Sequence, residues 1–359
     1  MKHILLEEKH KSLGAKFIEF GGWNMPVHYG SIIDEHNSVR NNAGVFDVSH
    51  MGKLFISGKD SQKFLSDVLP ADINGIKEGK GVYTQLLNNN AGIIDDLIVY
   101  KISSDNYFII VNAANIEKDF KTFSSIIKNY DCSINNLSEN FCIFAVQGKN
   151  AWQVVDKVLN ISSSDIRRFN FIEIQYKGSR CFICRTGYTG EDGFEIVPHN
   201  NAAPEIFSRI TEEIKNICGK MCGLGCRDTL RLEAGYMLHG HDIDETTTPV
   251  EAGLEWSIKG KGYIAESVIQ SQIKNGVQKK IAGFVVKDKG IIRSNCSIIS
   301  EGKIIGNITS GSFSPTLNKS IGIGYIHPDY FSNGKSIYAD VRGKFLLIER
   351  VKLPFLKKI

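Results

Sequence analysis

Features that would place this protein in a membrane, on nucleic acid or outside the cell are missing from its sequence. No apolar run approaches the roughly 18 residues that cross a bilayer. The formal net charge is only +4 over 359 residues, too little for bulk attraction to nucleic acid or a membrane surface. Glu7 and Glu8 stand where a secretory signal has its apolar segment, and the segment lacks the Arg- and Ser-rich composition of a transit peptide. We therefore predict a cytoplasmic protein with no nucleic-acid or membrane partner.

Ligands for a metal ion are scarce as well. The sequence has 8 cysteines. Cys181 and Cys184 lie in an apolar run typical of a strand, where their odd separation points the two sulfurs to opposite faces. Glycines interrupt the segment that holds Cys218, Cys222 and Cys226. We expect buried, reduced thiols and no metal site.

The common catalytic and nucleotide-binding motifs are absent too. The sequence has no Gly-x-Ser-x-Gly elbow and no His-Glu-x-x-His zinc helix. The glycines at 223 and 225 lack the preceding strand and further glycine of a dinucleotide fingerprint, and Gly79-Lys80-Gly81 lacks P-loop spacing. These absences exclude the simplest hydrolase, metalloprotease and nucleotide-binding interpretations.

What the sequence does contain indicates a globular α+β protein. At 359 residues the chain exceeds one ordinary core, and 42% hydrophobic with 23% charged residues is typical of a folded protein. Apolar spacing predicts helices at 4–19, 31–41, 115–129, 202–218 and 225–234, a loop at 20–26, a strand pair at 45–57, and strands at 82–87, 93–102 and 107–112. After Ile281, short strands separated by Gly, Asn and Pro predict an all-β module of roughly 80 residues. We place its linker at 272–280.

The most informative segment is Arg185–Ile196. Its glycines predict a tight turn, after which residues 194–197 extend again as a strand. Phe194 then faces one side of that strand and Glu195 the other. A carboxylate held in this way suits a ligand with two parallel N–H donors, such as an aminopyrimidine edge. An exposed Glu on an ordinary hairpin explains the pattern equally well.

A pair of acids, Asp95 and Asp96, opens an apolar strand directly after a turn. Alternation places Asp96 on the face of Tyr100 and turns Asp95 to the other face, so one acid can face a pocket while the other is solvated or capped. A carboxylate in an apolar pocket is a candidate acid, base or cation stabiliser. Two ordinary turn acids are the plainer interpretation.

Arg227 falls in the first turn of the helix predicted over 225–234, and Arg231 shares its face four residues later. This spacing fits a clamp for an anion or a carboxylate. It fits an ordinary salt-bridged surface helix as well.

Together these segments resemble the aminomethyltransferase (T-protein) family of the glycine cleavage system. The resemblance runs in order along essentially the whole chain. The matching stretches are Phe20–Pro26, Phe46–Gly52, Ile93–Val99, Val111–Phe120, Arg185–Ile196, Gly223–Gly235, Thr248–Trp256 and Gly306–Leu317.

The resemblance implies a three-domain cloverleaf around a central folate-binding channel. The first domain would combine residues 1–52 and 138–245 and bind folate, the second would cover 53–137, and the third, 246–359, would hold the linker and the barrel-like β module. The resemblance also implies tetrahydrofolate as cosubstrate and a lipoyl-bearing carrier protein (H-protein) that presents an aminomethyl group. The products would be 5,10-methylenetetrahydrofolate, ammonia and the dihydrolipoyl carrier.

Site residues follow from the same resemblance. Asp96 is implied as the catalytic carboxylate, and Glu195, Arg227 and Arg342 as substrate-binding residues. The positions implied to line the folate pocket are Tyr83, Tyr100, Val111, Asn112, Tyr188 and Tyr236. Glu195 would accept two N–H bonds from the pterin, with Tyr100 and Tyr188 as flat walls. Asp96 would hold the amine, take up a proton, or stabilise the cation that forms as ammonia leaves.

Two other functions fit the same fold. A tetrahydrofolate-dependent demethylase differs in the pocket loops that choose the donor, and the acids at 95 and 96 together with Arg185–Ile196 favour aminomethyl transfer. A non-catalytic folate-binding protein of iron–sulfur assembly carries a Lys-Gly-Cys signature. The nearest stretch here, Lys261–Glu266, has no cysteine.

Overall fold

The fold mixes helices and strands throughout, as the sequence predicts. A computed structural model describes residues 1–331 and 334–356. Its α-helices are α1 (Glu7–Ser12), α2 (Ile32–Asn41), α3 (Ser61–Val68), α4 (Ile116–Ile126), α5 (Ala151–Leu159), α6 (Ala203–Asn216), α7 (Leu224–Glu233) and α8 (Glu266–Asn275). Short 3-10 helices cover Ala113–Asn115, Ile127–Asn129, Ser138–Asn140, Ser163–Asp165, Glu255–Ser257 and Pro328–Tyr330. In the ranges described, no helix is both long and apolar enough to cross a membrane.

The strands fall into four sheets. They are β1 (Lys2–His3), β2 (Lys16–Phe20), β3 (Trp23–His28), β4 (Gly44–Asp47), β5 (Gly52–Ser57), β6 (Lys80–Leu87), β7 (Ile93–Ser103), β8 (Asn106–Val111), β9 (Ser133–Asn136), β10 (Phe144–Gln147), β11 (Phe171–Tyr176), β12 (Ser179–Cys184), β13 (Gly193–Pro198), β14 (Lys220–Met221), β15 (Lys280–Val286), β16 (Ser297–Ser300), β17 (Lys303–Ser314), β18 (Lys319–Ile326), β19 (Ile337–Val341) and β20 (Lys344–Val351).

Contacts along the chain divide it into two compact units. The first comprises Met1–Asp67, Ala71–Thr84 and Asp96–Asp228, and the second comprises Val68–Pro70, Gln85–Asp95 and Thr229–Ile359. The predicted division into three domains stays a prediction, and its last three residues lie outside the described ranges.

A six-stranded sheet in the first unit carries the Arg185–Ile196 segment. Its order is β11-β12-β13-β10-β4-β14, antiparallel except where β14 joins β4. Helix α6 repeats apolar residues at helical spacing, and Ile206 and Phe207 pack with Phe144 of β10 in the core beneath the sheet. Strand β13 is thus fixed between two neighbours, and so is the position of Glu195.

A five-stranded antiparallel sheet, ordered β6-β7-β8-β5-β9, carries the two acids. On β7, Tyr100 lies opposite Phe108 of β8. The two rings stack with centroids 4.5 Å apart and planes inclined by 9°, so the register of β7 is pinned by an aromatic cross-strand pair. Asp96 lies on the same strand, four residues before Tyr100.

The C-terminal module is a closed barrel, which confirms the all-β prediction. Its order is β15-β18-β17-β16-β19-β20, and its interior is filled by buried aliphatic residues with Phe284 among them. Closure pairs both edges of the sheet and leaves no unpaired strand edge.

Four predictions of local structure are wrong. The helix predicted over 4–19 ends at Ser12, and residues 16–20 and 23–28 form the hairpin β2–β3 in place of a helix and a loop. Strands β4 and β5 exist but belong to different sheets, so 45–57 is not a strand pair. Helix α8 occupies the start of the predicted linker. The first error comes from a short apolar run, where spacing alone cannot choose between a helix and a strand.

Candidate active site

A buried glutamine fixes the turn that precedes Glu195. Gln147, at the end of β10, has no exposed surface. Its Nε2 donates to the carbonyl of Thr186 (3.0 Å), and its Oε1 accepts from Oγ1 of Thr189 (2.9 Å). A side chain at Gly187 would lie 1.9 Å from Oε1 of Gln147 and would displace the amide that holds this turn. The glycines in this segment therefore leave room for the Gln147 side chain and also allow a tight turn.

An ion pair closes the turn from outside. Arg185 donates through Nε to Oδ1 of Asp192 (3.0 Å) and through Nη2 to Oδ2 (2.6 Å). Such a two-bond pair restrains both partners in one plane. The chain consequently enters β13 in a fixed direction.

Glu195 points to the face of β13 opposite Phe194 and Ile196, as alternation predicts. Phe194 and Ile196 are 1% and 0% exposed and point into the core, whereas Glu195 is half-buried. Its Oε2 accepts a hydrogen bond of 2.5 Å from the hydroxyl of Thr186. Its Oε1 has no hydrogen-bond partner within residues 1–331 and 334–356. One carboxylate oxygen is thus anchored, and the other is left for a ligand.

Arg227 brings a buried positive charge to the same unit. Its Nη1 is buried and has no hydrogen-bond partner in the described part of the chain. Its guanidinium carbon lies 4.7 Å from the ring centroid of Tyr188. Burial lowers the pKa of Arg227, and the negative charge of Glu195 opposes that effect. A buried donor without an acceptor costs about 1–3 kcal/mol, which indicates a missing acceptor from a ligand.

The second arginine of α7 has a different role. Arg231 is 2% exposed and donates from Nη1 to Oδ2 of Asp242 at 2.6 Å and from Nη2 to the hydroxyl of Ser310 at 2.8 Å. Asp242 and Ser310 therefore accept the hydrogen bonds of the Arg231 guanidinium within the protein. The predicted clamp therefore rests on Arg227 alone.

Asp96 is oriented by two neighbouring side chains. The hydroxyl of Tyr83 donates to Oδ2 of Asp96 (3.1 Å), and Nδ2 of Asn112 donates to Oδ1 (2.8 Å) and to the Asp96 carbonyl (3.0 Å). Asp96 remains half-buried, whereas Asp95 has no exposed surface. The acids differ in environment as alternation predicts, and Asp96 is the accessible one.

Two of the predicted pocket residues cannot line an open pocket with their side chains. Tyr100 and Val111 each have 0% exposed surface. The ring of Tyr100 is stacked on Phe108, and its hydroxyl is 3.0 Å from Oγ1 of Thr186. In this structure the ring of Tyr100 faces no open space, and its role as a flat wall against a ligand stays a prediction. Tyr100 is connected to Glu195 through the hydroxyl of Thr186.

The first unit contains most of the predicted site residues, among them Tyr83, Asp96, Asn112, Tyr188, Glu195 and Arg227. Asp96 and Tyr100 are four residues apart on one strand, a span of about 13 Å, and Tyr100 is linked through Thr186 to Glu195. Tyr236 and Arg342 belong to the second unit, where Tyr236 is half-buried and Arg342 is exposed with φ of 56° between β19 and β20. Their part in the site stays a prediction.

Sequence reasoning missed His50. The Phe46–Gly52 segment contributed to the family resemblance without a role for this side chain, which is 3% exposed. Its Nδ1 has no hydrogen-bond partner among the residues described. Burial, and then the charge of Arg227, lower the pKa of His50 to about 3. The only sequence signal was a histidine inside the Phe46–Gly52 segment.

This shift makes a prediction about acid stability. The folded pKa of about 3 lies below the ordinary value near 6.5, so between these values the unfolded chain binds more protons and the folded state loses stability as the pH falls. From pH 7 to pH 5 we expect His50 to account for a loss of about 2 kcal/mol in the free energy of unfolding.

Urea unfolding at both pH values, followed by circular dichroism, measures this loss. His50→Gln should show a smaller loss than wild type by that amount, whereas His241→Gln, at an exposed histidine, should match wild type. Equal losses in wild type and His50→Gln would contradict the assignment.

One group of possible metal ligands occurs among the described residues: Glu35, Cys222 and Cys226, whose ligand atoms lie within 4.8 Å of one another. Glu35 already accepts backbone N–H bonds from Tyr29 (2.6 Å) and Gly223 (3.0 Å). Burial raises the pKa of Cys222 and of Glu35, which favours neutral, packed groups. The expected absence of a metal stays a prediction.

Comparison with known proteins bears on this geometry. The chain matches the family described as "GCVT N-terminal domain" over residues 6–262 and that described as "Glycine cleavage T-protein C-terminal barrel domain" over residues 279–357. It is 42% identical to an aminomethyltransferase of Thermosipho melanesiensis, covering 99% of this chain and 97% of the relative. It is also 42% identical to one of Halothermothrix orenii, covering 99% and 100%.

A solved structure agrees along the full length. The glycine cleavage system aminomethyltransferase T from Bartonella henselae matches with a TM-score of 0.93 and 31% identity, over 99% of this chain and 98% of that one. These matches do not favour the demethylase or the iron–sulfur assembly protein. The chain therefore belongs to the aminomethyltransferase (T-protein) family of the glycine cleavage system.

Proposed function

We propose that this protein transfers a methylene carbon from an aminomethyl-loaded lipoyl carrier protein to tetrahydrofolate in the cytoplasm. The carbon–sulfur bond to the dihydrolipoyl arm and the carbon–nitrogen bond to the departing ammonia break. Two carbon–nitrogen bonds to the folate form. The two protons released by the folate amines end on sulfur and ammonia, so the reaction needs no oxidant or reductant.

The observation that carries the proposal is the unmatched pair of Glu195 and Arg227. Oε1 of Glu195 and Nη1 of Arg227 both lack partners within the described residues, and the two side chains form no ion pair with each other there. An aminopyrimidinone edge offers N–H donors to the first and a carbonyl acceptor to the second. The ring of Tyr188 beside Arg227 provides a flat surface for it. These residues fit a pterin.

We propose that Asp96 acts on the reacting amines. Tyr83 and Asn112 donate to different oxygens of its carboxylate. A carboxylate at this point can hold an amine, accept its proton, or stabilise the positive charge that develops as ammonia leaves. Two restraining bonds orient the carboxylate before the substrate arrives, which lowers the cost of positioning it.

A coupled assay tests the proposed reaction directly. Aminomethyl-loaded H-protein and tetrahydrofolate should give 5,10-methylenetetrahydrofolate and ammonia in equal amounts, with unloaded H-protein as the control. Dimethylsulfoniopropionate supplied as an alternative donor should give no methylated folate. Methyl transfer from that donor, with none from the loaded carrier, would replace this proposal with the demethylase.

A further inference from the structure

A chain of hydroxyl groups lies behind Glu195. Oγ1 of Thr186 is 2.5 Å from Oε2 of Glu195. Because that carboxylate has no proton to give when ionised, Thr186 is the donor. The hydroxyl of Tyr100 is 3.0 Å from the same Oγ1, and it must donate since the Thr186 proton is already used. Burial raises the pKa of Tyr100, which keeps this proton in place.

We propose that Thr186 is a positioning residue, which passes a hydrogen bond from Tyr100 to Oε2 of Glu195 and so presents Oε1 to the pterin. This inference rests on the proposed function and adds to it the group that sets the Glu195 rotamer. The direction of this hydrogen-bond chain is set at the Glu195 end, by a carboxylate that only accepts.

The backbone beneath Thr186 is restrained separately. Gln147 holds the Thr186 carbonyl through Nε2 (3.0 Å) and the Thr189 hydroxyl through Oε1 (2.9 Å). Tyr100 is restrained by the stacked ring of Phe108. The backbone of Thr186 and the ring of Tyr100 are therefore both restrained, and they hold the Thr186 hydroxyl in one position from which to donate. Glu195 alone, with three rotatable bonds and an open side, would otherwise sample several orientations.

These hydrogen bonds also explain why a fully buried tyrosine, Tyr100, occupies a position expected to contact folate. Tyr100 lies on the same strand as Asp96, whereas Glu195 lies on β13 of another sheet. The Tyr100–Thr186–Glu195 path links the strand of the catalytic acid to the strand of the folate-binding acid. The relative placement of the two acids thus depends on hydrogen bonds in addition to backbone packing.

Three substitutions test the inference in the full-length protein, with tetrahydrofolate as the probe in calorimetric titration. Thr186→Val keeps the shape but removes the hydroxyl, and we expect folate affinity about tenfold weaker, with turnover at saturating folate unchanged within about twofold. Thr186→Ser keeps the hydroxyl and should retain affinity within about twofold. Tyr100→Phe removes the bond from Tyr100 to Thr186 and leaves the bond from Thr186 to Glu195, and we expect affinity about threefold weaker.

Thr84→Val is the matched control, since Thr84 is fully buried on β6 and its hydroxyl has no partner in the described part of the chain. It should leave affinity unchanged. The inference fails if Thr186→Val binds folate like wild type while Glu195→Ala does not. If Thr186→Val does not fold, Tyr100→Phe takes its place in this comparison. It also fails if Thr186→Ser is as weak as Thr186→Val. If the wild-type protein itself does not bind folate, the proposed function fails and this inference with it.

Discussion

Asp96→Asn should lower turnover by a factor of about 10²–10⁴, the range for loss of a positioned acid or base. In the wild-type protein, Tyr83 and Asn112 donate to the Asp96 carboxylate at 3.1 and 2.8 Å. Asparagine keeps the size of the side chain and still accepts a hydrogen bond from one of them. What disappears is the negative charge beside the reacting amines. Because the proposed pterin contacts lie at Glu195 and Arg227, folate affinity should change by less than about threefold.

Single-turnover measurement with loaded carrier separates the chemical step from binding. Asp105→Asn, the same change at an exposed acid in the β7–β8 turn, serves as the control and should react like wild type. A single-turnover rate for Asp96→Asn equal to wild type would remove Asp96 from the chemistry.

The second large effect is expected at Glu195. Glu195→Ala should weaken folate binding by roughly 1.5–3 kcal/mol, the value of hydrogen bonds to a charged group. The change removes the free Oε1 and also leaves the buried hydroxyl of Thr186 without its acceptor. Since the second consequence affects the protein without ligand too, stability should be measured alongside affinity.

Calorimetric titration with tetrahydrofolate gives the affinity. Glu173→Ala is a matched control, because Glu173 lies on β11 of the same sheet in an exposed pair with Arg180. Such exposed pairs contribute about 1 kcal/mol or less, and folate affinity should not change there. Unchanged affinity in Glu195→Ala would show that Glu195 does not hold the pterin.

The sequence predicts most of what strand alternation and turn chemistry control. Glu195 and Asp96 face away from their buried neighbours Phe194 and Asp95, as a period of two requires. The barrel was also predictable, because short strands between Gly, Asn and Pro leave few other architectures. These features are local, so a window of a few residues contains the information.

What the sequence does not predict depends on contacts between distant segments. Residues 16–20 carry apolar spacing that fits a helix, yet they pair with β3 as a strand. Gln147 gives no sequence signal, although its amide bridges Thr186 and Thr189 about 40 positions away. Tyr100 was assigned to the pocket by its position, whereas its burial became evident only with Phe108 stacked against it.

The central claim is that Asp96 and Glu195 serve two ends of one folate molecule. A crystal structure of the protein with tetrahydrofolate measures this most directly. We expect the pterin amino group about 3 Å from Oε1 of Glu195, its carbonyl against Nη1 of Arg227, and the reactive amines on the side of Asp96. Folate bound with Glu195 and Arg227 still unpartnered, or with Asp96 facing a different cavity, would contradict the account.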